Sequence, residues 1–280
     1  MDLCQRATTS CGACCGLYNH REHGRAAIRA ELGRRTRALR GVARTPEAFR
    51  AAAGALAAGG PAPLFPSVRV CPLLGFLDEA ETRVGCLAHP RATGGPDLRD
   101  CGVYDAKICE TFFCPSFAFL TEEEAALAEA ATGDLHLYGL VVTDVPFLRA
   151  CLAAVAAGTG ARVERRHLER ASFRTALRRL LALKEELAPG SEGLFGAFAP
   201  GPDGGDVSRR IDYASIGRET SPLDAILTCA GADPRSGNDL DRLEGEVQRR
   251  LDACVASFAG PACAAGRAEG PPPHPGPLPR

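Results

Sequence analysis

Residues 11–15 read Cys11-Gly12-Ala13-Cys14-Cys15, three cysteines in five positions, preceded by the polar run Thr8-Thr9-Ser10. This is not the pattern of a core helix or strand, because neither a 3.6 nor a 2 periodicity places three small residues this way. Two cysteines separated by two residues can wrap one metal ion, since the short turn aims both sulfurs inward. Gly12 permits the positive φ that such a turn often needs. Cys15, adjacent to Cys14, is expected to reach the same metal only if the chain curls tightly, or else to serve a second one. Cys4 lies seven residues upstream of Cys11 and is a further candidate.

Outward from this turn, the chain repeats the theme. Cys71-Pro72-Leu73-Leu74, then Cys86-Leu87-Ala88-His89-Pro90, then Cys109-Glu110-Thr111-Phe112-Phe113-Cys114-Pro115 follow in order, with Cys101 ahead of the last. Nine of the 13 cysteines lie between Cys4 and Cys114, and the other four, Cys151, Cys229, Cys254 and Cys263, are scattered. The start of the chain lacks the apolar stretch of a signal peptide, and no run reaches the roughly 18 apolar residues of a membrane span. A cytoplasmic location is therefore expected, where thiols stay reduced and clustered cysteines read as metal ligands rather than disulfides. A zinc ion takes four Cys or His ligands, and a [4Fe–4S] cluster takes four thiolates. Cys11, Cys14, Cys15, Cys71, Cys86, Cys109 and Cys114 could supply one such site with spares, or two that share ligands. Long loops between them are no obstacle, because closure entropy grows slowly with length.

The ordered series CGACC, CPLL, a single cysteine and CETFFC resembles the YkgJ-type family of zinc- or iron-chelating proteins. The resemblance covers roughly residues 1–120. It implies that Cys11, Cys14 and Cys15 match the family's opening motif, Cys71 its middle, Cys86 the cysteine of its Cys-x-Ile-Tyr segment, and Cys109 with Cys114 its final box. The chain departs from the pattern in three places. Thr8 stands where the family's leading cysteine falls, leaving Cys4 as the nearby substitute. The stretch from Cys86 to Cys109 is longer and holds the extra Cys101. Phe113 replaces the proline before Cys114. The cofactor implied is zinc or iron, the latter as an ion or a [4Fe–4S] cluster. Flagellin lysine N-methylases carry a similar cysteine pattern, so an iron–sulfur-dependent protein-modifying enzyme is the alternative, and a zinc-stapled interaction module the third reading. No methyl-donor motif, Walker motif, nucleophile elbow or acidic pair marks a catalytic residue.

The rest of the chain predicts a mainly α protein in which a loop-rich, metal-stapled unit (1–134) packs on helices, followed by a helical domain or extension (135–262) and a disordered tail (263–280). Helices are predicted over 25–40 and 46–58, the second opened by Thr45-Pro46 and stopped by Gly59. Residues 60–120 read as loop. Thr121 to Glu124 forms a capping box for an alanine-rich helix that ends near Gly133. Leu148, Cys151, Leu152 and Val155 share a helical face, as do Phe173, Leu177, Leu180 and Leu187. Residues 188–206 read as a loop, and Ser221-Pro222 as the start of a short helix. Leu240, Leu243, Val247, Leu251, Cys254 and Phe258 make a long apolar stripe. Cys151 and Cys254 thus read as core residues. His89 is a weaker ligand candidate; His20, His23, His136, His167 and His274 have no ligand spacing. Gly158-Thr159-Gly160 follows a helical stripe and reads as a helix stop, not a dinucleotide loop. Net charge is -1, with Lys only at 107 and 184. The arginine runs at 25–40 and 162–179 have few aromatic companions and read as solvated faces, so nucleic acid is disfavoured as a partner. The one partner expected is a metal ion.

Overall fold

Local signals set the first helices. The computed structural model of the protein describes residues 3–187, 196, 198–200 and 206–258. Helix α1 spans Arg25–Arg40 and α2 spans Pro46–Ala58, where Thr45 accepts a hydrogen bond from the Ala48 amide. Ile28, Leu32 and Leu39 of α1 are buried, as are Phe49, Ala53 and Leu56 of α2. The loop-rich middle contains a short hairpin that the sequence reading leaves as loop. Strands β1 (Leu74–Phe76) and β2 (Val84–Cys86) pair antiparallel, with Leu74 opposite Cys86. Gly75 lets this hairpin lie against α1, since a Cβ there would come within 2.7 Å of Thr36 Oγ1. That hydroxyl donates to the Leu32 carbonyl and accepts from the Phe76 amide. Three short helices follow: α3 (Pro90–Thr93), α4 (Ala106–Thr111) and α5 (Pro115–Phe119).

From Glu122 onward the described chain is a helical layer. It comprises α6 (Glu122–Thr132), α7 (Leu135–Val142), α8 (Val145–Thr159), α9 (Ala171–Leu181), α10 (Leu183–Glu186), a small hairpin of β3 (Phe198–Pro200) and β4 (Asp206–Ser208), α11 (Asp224–Cys229) and α12 (Gly237–Phe258). The capping box at Thr121 and Glu124 forms, and Gly160 stops α8 in the left-handed conformation. The apolar stripe of α12 is buried along its whole length, from Leu240 to Phe258, against α8 and α9. Each such side chain contributes about 1.5–3 kcal/mol of transfer free energy. Cys151 and Cys254 lie in this core.

The structure corrects several expectations. The helix expected at Ser221-Pro222 begins at Asp224; the Ser221 hydroxyl instead accepts from the Leu223 amide in the preceding turn. Within the stretch 188–206 read as loop, residue 196 is a turn, while 198–200 and 206 lie in strands. The expected tail, 263–280, lies outside the described residues. Arg35, assigned to a solvated face, is buried; it pairs with Glu31 and donates to the Cys71 carbonyl at 3.1 Å.

The cysteine-bearing segments are tied into the helical layer. Leu3 is buried among its side chains, and its carbonyl accepts from the Tyr138 hydroxyl at 3.0 Å. The Tyr18 hydroxyl donates to the His136 carbonyl at 2.9 Å, a close approach that requires Gly139 to lack a side chain. Arg25 bridges Asp134 and Glu185 beside it. No single described helix is long and apolar enough to cross a membrane. The bent pair α7–α8 passes that test on composition, but its large apolar side chains, such as Leu137, Val141, Phe147, Leu148 and Val155, are core residues.

The buried polar groups of this layer can be tested directly. Lys184 is fully buried, donating to Asp144 at 2.6 Å and to the Cys229 carbonyl at 2.5 Å. Asp144→Ala leaves that ammonium unpaired, removes the cap on the Phe147 amide, and is expected to cost about 3–5 kcal/mol in denaturant unfolding. Burial, then the nearby Arg25, lowers the pKa of His136 to about 4, and its Nδ1 has no partner. The unfolded chain, with a pKa of about 6.5 there, binds the proton first as pH falls. Stability from neutral His136 is therefore complete above about pH 6.5 and drains away toward pH 4. His136→Phe should remove on the order of 2 kcal/mol of the stability lost between about pH 7 and pH 4.5. Parallel curves for the variant and the wild type would refute this.

Candidate metal centre

The Cys11–Cys15 turn is a 3-10 helix at Ala13–Cys15. Gly12 has φ −122°, and the positive φ of the turn falls on Gly16, at +80°. Gly12 serves close packing instead, since a Cβ would lie 2.7 Å from the Leu74 side chain. Gly16 packs directly on the Arg69 carbonyl, and the Cys71 amide donates to the Cys15 carbonyl at 2.9 Å. On the other side of the turn, the Cys11 amide donates to the Cys4 carbonyl at 3.0 Å, and Gln5 pairs with Ser10 in an antiparallel bridge. Ser10 and Gln5 in turn hold the Val84 amide and carbonyl, which fixes this loop beside β2 and Cys86. Asp105 caps α4, which carries Cys109, and Cys114 stands at the N-terminus of α5.

All seven cysteines singled out by sequence line one cavity of about 280 Å³, together with Cys4, His89, Arg99 and Tyr104. Cys4 thus joins the set. Cys101 does not: it is buried among residues such as Leu39, Phe49 and Leu98, with its sulfur 3.5 Å from the Pro46 carbonyl. His89 is engaged locally, its Nδ1 accepting from the Arg91 amide. Among the described residues no three Cys, His, Asp or Glu side chains are gathered onto a common point that would hold an ion as they stand. The cysteines line one space without forming such a group.

The electrostatics of the cavity are those of crowded thiols. Burial raises Cys11 to about 12, and Cys4 and Cys114 add to the rise. Cys86 is likewise pushed up to about 12 by burial, with Cys71 and Cys109 contributing. Cys15 is raised well above its ordinary value, by burial and then by Cys71, Cys86 and Cys109. Cys14 hydrogen-bonds to Cys114, which raises the donor and lowers the acceptor. Arg99 is the cation on this wall; it lowers Cys86 and Cys109 slightly and is itself clamped by Asp97 and Glu110. Sequence reasoning missed Arg99 because nothing local distinguishes it from the other arginines. Exposed apolar side chains of Ile108, Phe112, Phe113 and Phe117 stand around Cys109 and Cys114, beside the charged groups of Asp97, Arg99 and Glu110. Eight thiols whose ionised forms repel one another, in a small apolar-rimmed space, suit a soft cation that would deprotonate them on binding.

No family model, no curated protein and no solved structure matches this chain, so its functional reading rests on the site itself.

Proposed function

We propose that this protein binds a soft metal, zinc or iron, the latter as an ion or an iron–sulfur cluster, through Cys11, Cys14, Cys15, Cys71, Cys86, Cys109 and Cys114. The observation that carries the reading is that cysteines up to about a hundred residues apart line one cavity, while Cys151 and Cys254 are buried in the helical core. The mutually raised pKa values, which a bound cation would reverse, add weight. The proposed centre staples the loops of residues 3–120 and requires a reducing compartment such as the cytoplasm.

Protein purified without oxygen should carry zinc or iron at near-stoichiometric or greater amounts; iron as a cluster would give a brown solution absorbing near roughly 400 nm. Cys14→Ser and Cys15→Ser should each lower metal content sharply. Cys151→Ser and Cys254→Ser should keep it and cost about 1–3 kcal/mol through a buried, poorly satisfied hydroxyl. Equal metal content in all four variants, or a metal-free protein indifferent to both metals, would sink the reading. Chelation should loosen residues 3–20 and 60–118 in hydrogen exchange and leave α8, α9 and α12 protected.

A further inference from the structure

The exposed large hydrophobic side chains of the described residues all fall between Val103 and Phe119. Phe113 is 64% exposed, and its ring lies 5.0 Å from that of Phe117. A cluster of this kind marks a surface that something covers. Beside it runs a groove of about 620 Å³, lined by Phe112, Phe113, Phe117 and Pro90, which shares Cys4, Cys109 and Cys114 with the cysteine cavity. The exposed carboxylates of Asp97 and Glu110 take Nε and Nη2 of Arg99. The Arg99 side chain is only 4% exposed, yet its Nη1 pairs with no described group. His89 accepts from the Arg91 amide at Nδ1, so the neutral ring carries its proton on Nε2, which also has no described partner. The groove thus offers unpaired N–H donors and apolar rings, with two carboxylates at its surface.

Its complement is an apolar segment rich in carbonyl acceptors, poor in N–H donors and carrying a cation. The chain itself contains one: Pro271-Pro272-Pro273-His274-Pro275-Gly276-Pro277-Leu278-Pro279-Arg280. Its prolines accept hydrogen bonds at their carbonyls and have no N–H to leave unpaired. Such a sequence favours the polyproline helix, which docks on aromatic-lined grooves at small entropic cost. The connection is long enough. Helix α12 ends at Phe258, whose ring packs on His167 and whose carbonyl accepts from Arg170. His167 belongs to the 3-10 turn Arg165–Glu169, whose first amide donates to Glu123 at the start of α6, four residues after Phe119. Residues 259–270 span about 20 Å as a coil and up to about 40 Å when extended. We propose that residues 271–280 lie in this groove as an intramolecular strap. The prolines pack on Phe112, Phe113 and Phe117, their carbonyls accept from Arg99 Nη1 and His89 Nε2, and Arg280 sits beside Glu110. The strap covers the cavity where Cys109 and Cys114 reach the surface, whatever the thiols bind.

Photocrosslinking of the full-length chain tests the strap. Phe113→p-benzoylphenylalanine places the probe on an exposed side chain and leaves the core untouched. Irradiation should give a product that stays monomeric in denaturing electrophoresis and joins position 113 to the tryptic peptide 268–280. A product of twice the monomer mass overturns the strap in favour of a surface between two copies. A monomer with no link to 268–280 overturns it as well. A second measurement keeps every groove residue in place. The full-length variant P271S/P272S/P273S changes only residues outside the described part of the chain. Amides of residues 106–119 should exchange several-fold faster in it than in the wild type, with α12 unchanged. Equal exchange at 106–119 in the two proteins would refute the proposal and leave the metal-binding reading standing.

Discussion

The backbone contact between the 12–16 turn and the 69–71 segment is the constraint on which the cavity depends. The Cys71 amide reaches the Cys15 carbonyl only because Gly16 has no side chain to strike Arg69 and takes a left-handed φ that few other residues adopt. Arg35 then holds the Cys71 carbonyl from the buried face of α1. These contacts bring together residues 15 and 71 and set the hairpin that presents Cys86. The entropic cost of closing that loop is modest, and apolar burial offsets it. Leu73, Leu74 and Phe76 enter two small cores shared with α1 and α2. The cysteine-rich half therefore has more apolar support than its loop-rich sequence suggests.

What was legible in the sequence was local. The Thr45-Pro46 start, the Thr121–Glu124 capping box and the six-residue stripe of α12 each sit within a few turns of chain, and each formed as read. The hairpin was not legible, because its strands are three residues long and carry Gly75 and Gly85, which weaken any strand signal. Which glycine of the turn takes the positive φ was not legible, since sequence cannot say which of Gly12 and Gly16 faces a backbone and which faces Leu74. The membership of the cavity was readable from residue type, because cysteines crowded between polar neighbours suit a ligand set far better than a core. The roles of Cys4 and Cys101 depended on which way two loops turn, and only the fold decides that.

The burial of charged groups follows one logic in both halves. Arg35, Arg99 and Lys184 are nearly inaccessible, and each is met by a carboxylate and, for Arg35 and Lys184, by a backbone carbonyl as well. Buried cations are tolerated at this cost only where partners satisfy them. The cavity thiols are a different case: burial and their mutual proximity raise most of them, so they stay neutral unless a cation draws off their protons. That crowding of neutral but ionisable sulfur separates the cavity from the rest of the described interior.

The spread of the cysteines along the chain also has a consequence in time. Cys114 leaves the ribosome 110 residues after Cys4. At roughly 5–20 residues per second, the first thiols wait about 5–20 s for the last. Leu3 needs Tyr138, still further along, before it is anchored. Throughout synthesis the early cysteines are exposed nucleophiles open to oxidants and stray ions. The finished arrangement is thus reached only by a nascent chain whose surroundings keep it reduced until its second half has emerged.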